Sequence, residues 1–357
     1  MPKRSTAKTL WLLTIAAMTG AATLVACSTT LPDDWRSLHW QDTHTQAPPD
    51  TLQFQFLGAG GIYLRYADQA LMGDPFFSNP PLSHWLTLRD LAVKTDVIDQ
   101  HLPPLDAVRG ILVGHGHHDH AMDIPYIASR LDDAVKIYGS DTVANLMAAE
   151  LPAHRREALN SRMAQARQGG EWVYLTPHLR ILPIYSEHSP HVGNTVFAAD
   201  PIRSPLTERA RSVLNWKAGE NLNYVIDFLE PTRSDATVAF RVFYQSSASH
   251  GRVGQPPDWL LQDGVAFDLA LLCAANYDAV DDYPETILRH LKPRQIALIH
   301  WEIFWDAYST AHSKPLPGLD FAALEARMRA VVGTDTPIHV PQRGATLALS
   351  TTAPRSD

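Results

Sequence analysis

The chain has 357 residues, of which 45% are hydrophobic and 19% charged, with a formal net charge of −8. An acidic chain gives no electrostatic footprint for nucleic acid or for an anionic lipid surface. With only two cysteines a thiolate metal cluster is excluded, so any metal site must use imidazole and carboxylate.

Lys3, Arg4 and Lys8 form a positive start, and LWLLTIAAMTGAATLVA then runs apolar to small residues before Cys27. This is the architecture of an export signal, too short and too abruptly ended for a membrane span. LVAC, Leu24 to Cys27, resembles a bacterial lipobox, in which the cysteine becomes the lipidated first residue. Ser28 follows it in place of Asp, which by the same resemblance favours the outer membrane. Removing residues 1–26 deletes three basic and no acidic residues, which takes the net charge to about −11. Cys273, in LALLCAA, then stands alone and reads as buried filler. Residues 27–50 are polar and proline-bearing and are expected to form a flexible tether. Residues 51–350 are the expected folded domain and 351–357 a tail.

TLQFQFLG and GIYLRY alternate apolar and polar around Gly58, Gly60 and Gly61. They predict a hairpin, with a third strand ending at Asp74. VRGILVG, 108–114, is a nearly continuous apolar run and predicts a strand buried on both faces. The His-rich stretch after it is read as a loop, and MDIPYIASRL as the start of a helix. VKIYG is a strand, and DTVANLMAAEL a helix capped by Asp141. EWVYLTP with LRILPIYS, and NYVIDFLE with TVAFRVFYQ, make strand pairs. FDLALLCAA and QIALI are buried strands separated by the helix YPETILRHL. FAALEARMRAVVG is a helix stopped at Gly333, and PIHV and ATLALS close the chain as strands. The pattern predicts an α/β fold of two β/α halves packed sheet to sheet with helices outside. Residues 76–104 and 189–223 fit no regular element, and loops of that length are usually walls or lids of a site.

The chemistry concentrates in HGHHDH, which places four histidines and an aspartate in six positions from His115 to His120. Neutral imidazole and carboxylate are the ligands of zinc and similar ions. Alternate residues of a tight loop project to one side, so His115 and His117 are placed to share one ion, with Asp119 and His120 turned toward a second. His188 and His300, each at the end of a predicted strand, are candidates to complete the set.

These residues resemble the metallo-β-lactamase superfamily, an αββα sandwich. GDP with Asp74, HGHHDH, SEHSPH with His188 and IHWEIFW with His300 follow its motif order from about residue 52 to 350. GAGGIYLRY, GDPFFSNP and IHW are most similar to the branch of N-acyl-phosphatidylethanolamine phospholipase D-like and ascorbate-phosphate lactonase-like proteins. The resemblance implies that His115, His117 and His188 hold one metal, zinc or another divalent ion, and that Asp119, His120 and His300 hold a second. It implies that Asp74 orients a ligand or the backbone of the His segment from behind. It fails at the position of the metal-bridging carboxylate. There VAFRVFYQSSASHG places Ser247, or Gln245 on a shift of two. One carboxylate ligand for two divalent ions predicts a weakened second site or a single-metal enzyme, unless His250 or Glu302 compensates.

The implied activity is hydrolysis of a phosphodiester, carboxylic ester or lactone by metal-activated water, with Asp119 orienting that water. An amphiphilic substrate fits the branch and the lipid anchor, with Phe76, Phe77 and Trp85 as an apolar wall and His191 as a candidate donor to substrate. The expected location is the periplasmic face of the outer membrane. The competing reading is a non-catalytic metal- or ligand-binding lipoprotein that keeps the fold.

Overall fold

The computed structural model describes residues 39–40, 50–232, 237–311 and 313–350. The export signal, Cys27, most of the tether and the tail lie outside them. Within the expected tether, His39–Trp40 pairs in parallel with Val340 and Pro341. Among the described residues no helix is long and apolar enough to cross a membrane.

Two mixed sheets carry the fold. The first runs, in spatial order, Thr346–Ser350, Thr51–Gly58, Gly61–Tyr66, Gln69–Gly73, Val108–Leu112, Lys136–Gly139 and Arg156–Ala158. Its first four strands are antiparallel neighbours, and the rest are parallel. The second sheet is built around Ile338–Pro341, Ile296–Ile299, Leu269–Cys273, Val238–Gln245, Asn221–Leu229 and Leu179–Ser186, in that order. Its edge beyond Leu179–Ser186 holds short strands at 164–165 and 168–169, which carry no clear alternation and so give no strand signal in the sequence.

Period-two alternation sorts the first sheet into two faces. Leu52, Phe54, Phe56, Ile62, Leu64, Leu71 and Leu112 share one core with Leu182, Ile184, Tyr224, Ile226 and Val242 of the second sheet. Their neighbours Tyr63, Ala70, Met72, Ile111 and Val113 face Ile98, Ile124, Ile127 and Ala128 of the helical layer. Each fully buried side chain of this kind contributes about 1.5–3 kcal/mol. Parallel neighbours in the second sheet are joined through helices Glu285–Leu291 and Phe321–Val332. Such crossovers share one hand, which puts both helices on one face. The result is the expected αββα sandwich.

Three local readings change. Residues 76–104, read as fitting no regular element, contain the helices Leu82–Leu86 and Thr95–His101. Ser140 caps the helix Asp141–Leu146, its hydroxyl accepting from Val143 N, so Asp141 is the first helical residue and not the cap. A serine with extended backbone leaves its oxygen free to reach the third amide onward, which the next residue has already turned past. The His-rich stretch is only partly loop, because His118–Ala121 forms one helical turn with His117 preceding it.

Candidate metal centre

All the strands that matter end at one rim. Gly73 lies beside Leu112, Gln245 beside Leu272, and Cys273 beside Ile299. Asp74, His115, Ser246 and His300 follow these ends. Ser186, two residues before His188, pairs with Asn221 at the same rim. A crevice beyond the carboxyl ends of strands is the usual place for a site in an α/β sheet.

Two triads form there. His115, His117 and His188 each offer a ligand atom, and these lie within 4.8 Å of one another; Asp119, His120 and His300 do the same. The rings of His115 and His120 are 3.9 Å apart between centroids, so the triads adjoin. Asp119 Oδ2 lies 3.3 Å from His300 Nε2 and 3.5 Å from His120 Nε2. The one-turn helix sets this divergence, since it rotates Asp119 and His120 away from His115 and His117. Of the six, only His188 is more than marginally exposed.

Hydrogen bonds behind the rings settle which nitrogen faces inward. A neutral imidazole has one donor and one acceptor nitrogen. His120 Nδ1 donates to Asp74 Oδ2 at 2.8 Å, and His188 Nδ1 to Ser189 O at 2.6 Å, leaving each Nε2 as the free lone pair. His117 is reversed, because its Nε2 donates to Phe197 O at 2.9 Å and frees Nδ1. That Nδ1 sits 3.1 Å from His115 Nε2. Two imidazole nitrogens face to face in a buried site need a shared proton or a shared cation. Nδ1 of His115 and of His300 are buried without a hydrogen-bond partner. Imidazoles, three of them with fixed tautomers, and in the second triad a carboxylate fit a divalent ion at each triad.

Asp74 is fully buried and follows a strand with φ of 39°. Its Oδ1 accepts Gly114 N at 2.8 Å, and Oδ2 takes both His120 and, at 2.7 Å, the Tyr244 phenol. It therefore ties a ligand ring, the backbone before the His motif and the second sheet together. Asp74→Asn is expected to weaken metal binding at the Asp119 triad by roughly 10–100-fold, as loss of such a partner usually does; competition with a chelator measures it. His300 also sits at positive φ, 54°, held by its amide donating to Ala59 O at 2.7 Å. Strain of this kind persists only where surroundings impose it. Gly60 has a steric reason as well, since a Cβ there would meet His120 Cε1 at 2.8 Å.

The electrostatics of the site favour uncharged rings at four of its histidines. Burial, aided by neighbouring histidines, lowers His115 and His188 well below 6.5. Burial lowers His117 to about 3 and His118 to about 4. Burial would raise Asp119, but His120, His118 and His300 around it hold its carboxyl well below the usual range. His120 moves the other way: burial opposes its charge, yet Asp119 and Asp74 outweigh that and raise it. For the depressed histidines the stability contribution is present above the unfolded value of 6.5 and is lost as pH falls. His120 has the opposite sign, its contribution being lost as pH rises through its raised folded value. Four depressed rings outnumber one. The metal-free protein is therefore expected to lose thermal stability as pH drops from 6.5 toward about 3. Melting temperature against pH, with a chelator present, checks this.

Other sequence candidates fall elsewhere. His250 Nδ1 accepts from Asp281 N at 3.0 Å and joins neither triad. Glu302 is fully buried but holds Ala59 N at 2.7 Å and Arg343 Nε at 3.1 Å, bracing the turn before Gly60. Gln245 turns its amide to Ser249 Oγ. Phe76 and Phe77 are core residues, whereas Trp85 packs on His118, Phe304 and Trp305. His191 stacks on His188 with ring centroids 4.7 Å apart, at the exposed side of the first triad. Neither the Phe197 carbonyl nor the Tyr244 phenol carries a signal in the sequence. The carbonyl is a backbone group in a long loop, and the tyrosine has the pattern of ordinary alternation in a strand.

No family model matches the chain, and no curated protein matches it. Solved structures do. A metallo hydrolase from the archaeon Ignicoccus hospitalis is 13% identical with TM-score 0.48, over 85% of this chain and 100% of that one. An isothiocyanate hydrolase from Delia radicum gut bacteria is 15% identical with TM-score 0.48, over 84% and 99%. Human tRNase Z, short form, is 10% identical with TM-score 0.41, over 84% and 100%. Each likeness lies in chain path alone, and the roles of the residues here rest on the protein's own geometry.

Proposed function

We propose that the protein is a metal-dependent hydrolase acting on a phosphodiester or a carboxylic ester or lactone. One observation carries this reading: two adjoining triads, each of bare imidazole or carboxylate ligand atoms within 4.8 Å, stand at one rim of the sheets. His115, His117 and His188 would hold one divalent ion, and Asp119, His120 and His300 a second, with zinc the expected metal. Such an ion, when bound, makes hydroxide available near neutral pH and polarises a substrate oxygen. Asp119, held as carboxylate, orients the attacking water and takes its proton. His120 is kept in one tautomer by Asp74, and His117 by Phe197 O. Trp85, Phe304 and Trp305 form an aromatic wall beside His118 and His300, which suits an apolar substrate portion. The lipobox-like LVAC and the acidic charge support a lipid-anchored envelope protein with no nucleic-acid partner.

Ser247 in place of a bridging carboxylate favours a second reading, a metal- or ligand-binding lipoprotein without turnover. Metal content of the purified mature chain, with hydrolysis of bis(p-nitrophenyl) phosphate and a p-nitrophenyl ester, separates the two. Bound metal together with turnover that falls at least about 100-fold in Asp119→Asn supports the hydrolase. Bound metal without turnover of either substrate class supports the second reading. No metal after zinc is supplied sinks both metal readings.

A further inference from the structure

His191 lies against the first triad in space as well as in sequence. Its ring stacks on His188, with centroids 4.7 Å and planes 19° apart, and its centroid is 5.5 Å from that of His117. A tight turn puts it there. His191 N donates to Thr195 O at 2.9 Å and Thr195 N to Val192 O at 3.0 Å, with Gly193 supplying the positive φ of 56° inside the turn. The chain then brings Phe197 back alongside, its ring 5.2 Å from that of His191.

The backbone of Phe197 sorts two rings into opposite roles. Its carbonyl accepts the Nε2 proton of His117 at 2.9 Å, which leaves a lone pair on Nδ1. Its amide donates to His191 Nδ1 at 3.1 Å. An amide N–H can only donate, so Nδ1 is the acceptor, the His191 ring is neutral and its proton sits on Nε2. Neither nitrogen of His191 is then free to ligate a cation. It offers a proton where His117, His120 and His188 offer lone pairs. Among the described residues no group takes that Nε2 proton. His191 is exposed while His115 and His117 are buried, so the donor stands at the open side of the first triad. Burial lowers its pKa, and Asp119 and His300 also act on it, which puts the ring in electrostatic range of the second triad.

We infer that His191 is a substrate-binding donor, its Nε2–H bonding the substrate oxygen on which negative charge resides or develops. The inference rests on the hydrolase reading above. A phosphodiester carries that charge before attack, whereas a carboxylic ester or lactone gains it only as water adds. Loss of the donor is therefore read chiefly in KM for the first class and in kcat for the second. Two variants separate this role from a structural one, and because His191 is exposed neither opens a cavity in the core. His191→Phe keeps a ring to stack on His188 but has no proton to give. It is expected to hold zinc at the wild-type level, read by mass spectrometry, and to lose about 100-fold in kcat/KM on bis(p-nitrophenyl) phosphate or p-nitrophenyl acetate. His191→Gln, whose amide nitrogen reaches the place of Nε2, is expected to recover at least about tenfold of that loss. Full zinc and a kcat/KM within about threefold of wild type in His191→Phe overturn the donor and leave the hydrolase reading standing. Loss of zinc in both variants, with activity falling in proportion, makes His191 a prop of the metal site and also overturns the donor. Wild-type protein that binds zinc without turning over either substrate overturns the hydrolase reading, and the donor with it.

Discussion

Replacing His115 with alanine is expected to empty the first triad of metal and to lower hydrolysis by at least about 10³-fold, because bound water ionises near pH 7 instead of near 15.7. His115 is the residue through which the two triads meet. Its Nε2 faces His117 Nδ1 at 3.1 Å, and its ring lies 4.6 Å from His188 and 3.9 Å from His120. Removing it deletes one of three ligand nitrogens and the spacer that separates His188 from His120. The site is fully enclosed at that point, so the lost ring leaves a cavity and no outside group to replace it. Metal content and turnover of the variant, measured on the same preparation, check the prediction. A variant that keeps its full metal content would remove His115 from the ligand set. Folding is expected to survive, because burial keeps the His115 ring uncharged and its loss removes no ion pair.

The largest effect on stability is expected far from the rim. Asp227→Ala should cost about 3–5 kcal/mol, the usual penalty for removing one partner from a buried ion network. Asp227 and Arg241 have no exposed side-chain surface. Asp227 accepts Arg241 Nε at 2.7 Å and Nη2 at 3.0 Å, and also Arg180 Nε at 3.1 Å and Nη2 at 2.8 Å. The two arginines come from its own strand's neighbours on either side, since Asp227 pairs with Arg180 on one strand and with Arg241 on the other. Asp263 still meets Arg241 Nη1, so the variant keeps part of the network. Arg180 would retain its stacking on Trp172, 4.0 Å from the ring centroid, and its hydrogen bond to the Tyr174 phenol at 3.2 Å. Chemical denaturation measures the loss. A change under about 1 kcal/mol would show that the network is as replaceable as a surface ion pair.

The layer order and the gathering of the six side chains at one rim were largely legible, for a shared reason. Apolar runs such as LALLC and IALI have one stable fate, burial, and the β/α alternation then places their carboxyl ends together. His188 and His300 could be nominated because each follows such a run. What was not legible depends on contacts between segments distant in sequence. No local pattern announces that Tyr244 reaches Asp74, or that the Phe197 carbonyl fixes the tautomer of His117. Ser140 and Asp141 are both good caps, and only the extended backbone of Ser140 decides between them. The turn of helix inside the His motif was hidden because histidine and aspartate are weak helix formers. Packing around Asp119 and His120 imposes it.

The strand Thr346–Ser350 pairs along its whole length with Thr51–Gly58, from Thr346 against Gln55 to Ser350 against Thr51. The edge strand of the first sheet is therefore supplied from almost three hundred residues further along the chain. A ribosome that has made every other strand of that sheet still leaves it with an open, apolar-backed edge. That pairing must bridge almost three hundred residues of intervening chain. Folds with such long-range pairings have high contact order and mature slowly. Until then the open edge is a template for pairing with other chains. Thr346–Ser350 thus replaces a mostly buried edge, Thr51–Gly58, with a strand of more exposed side chains.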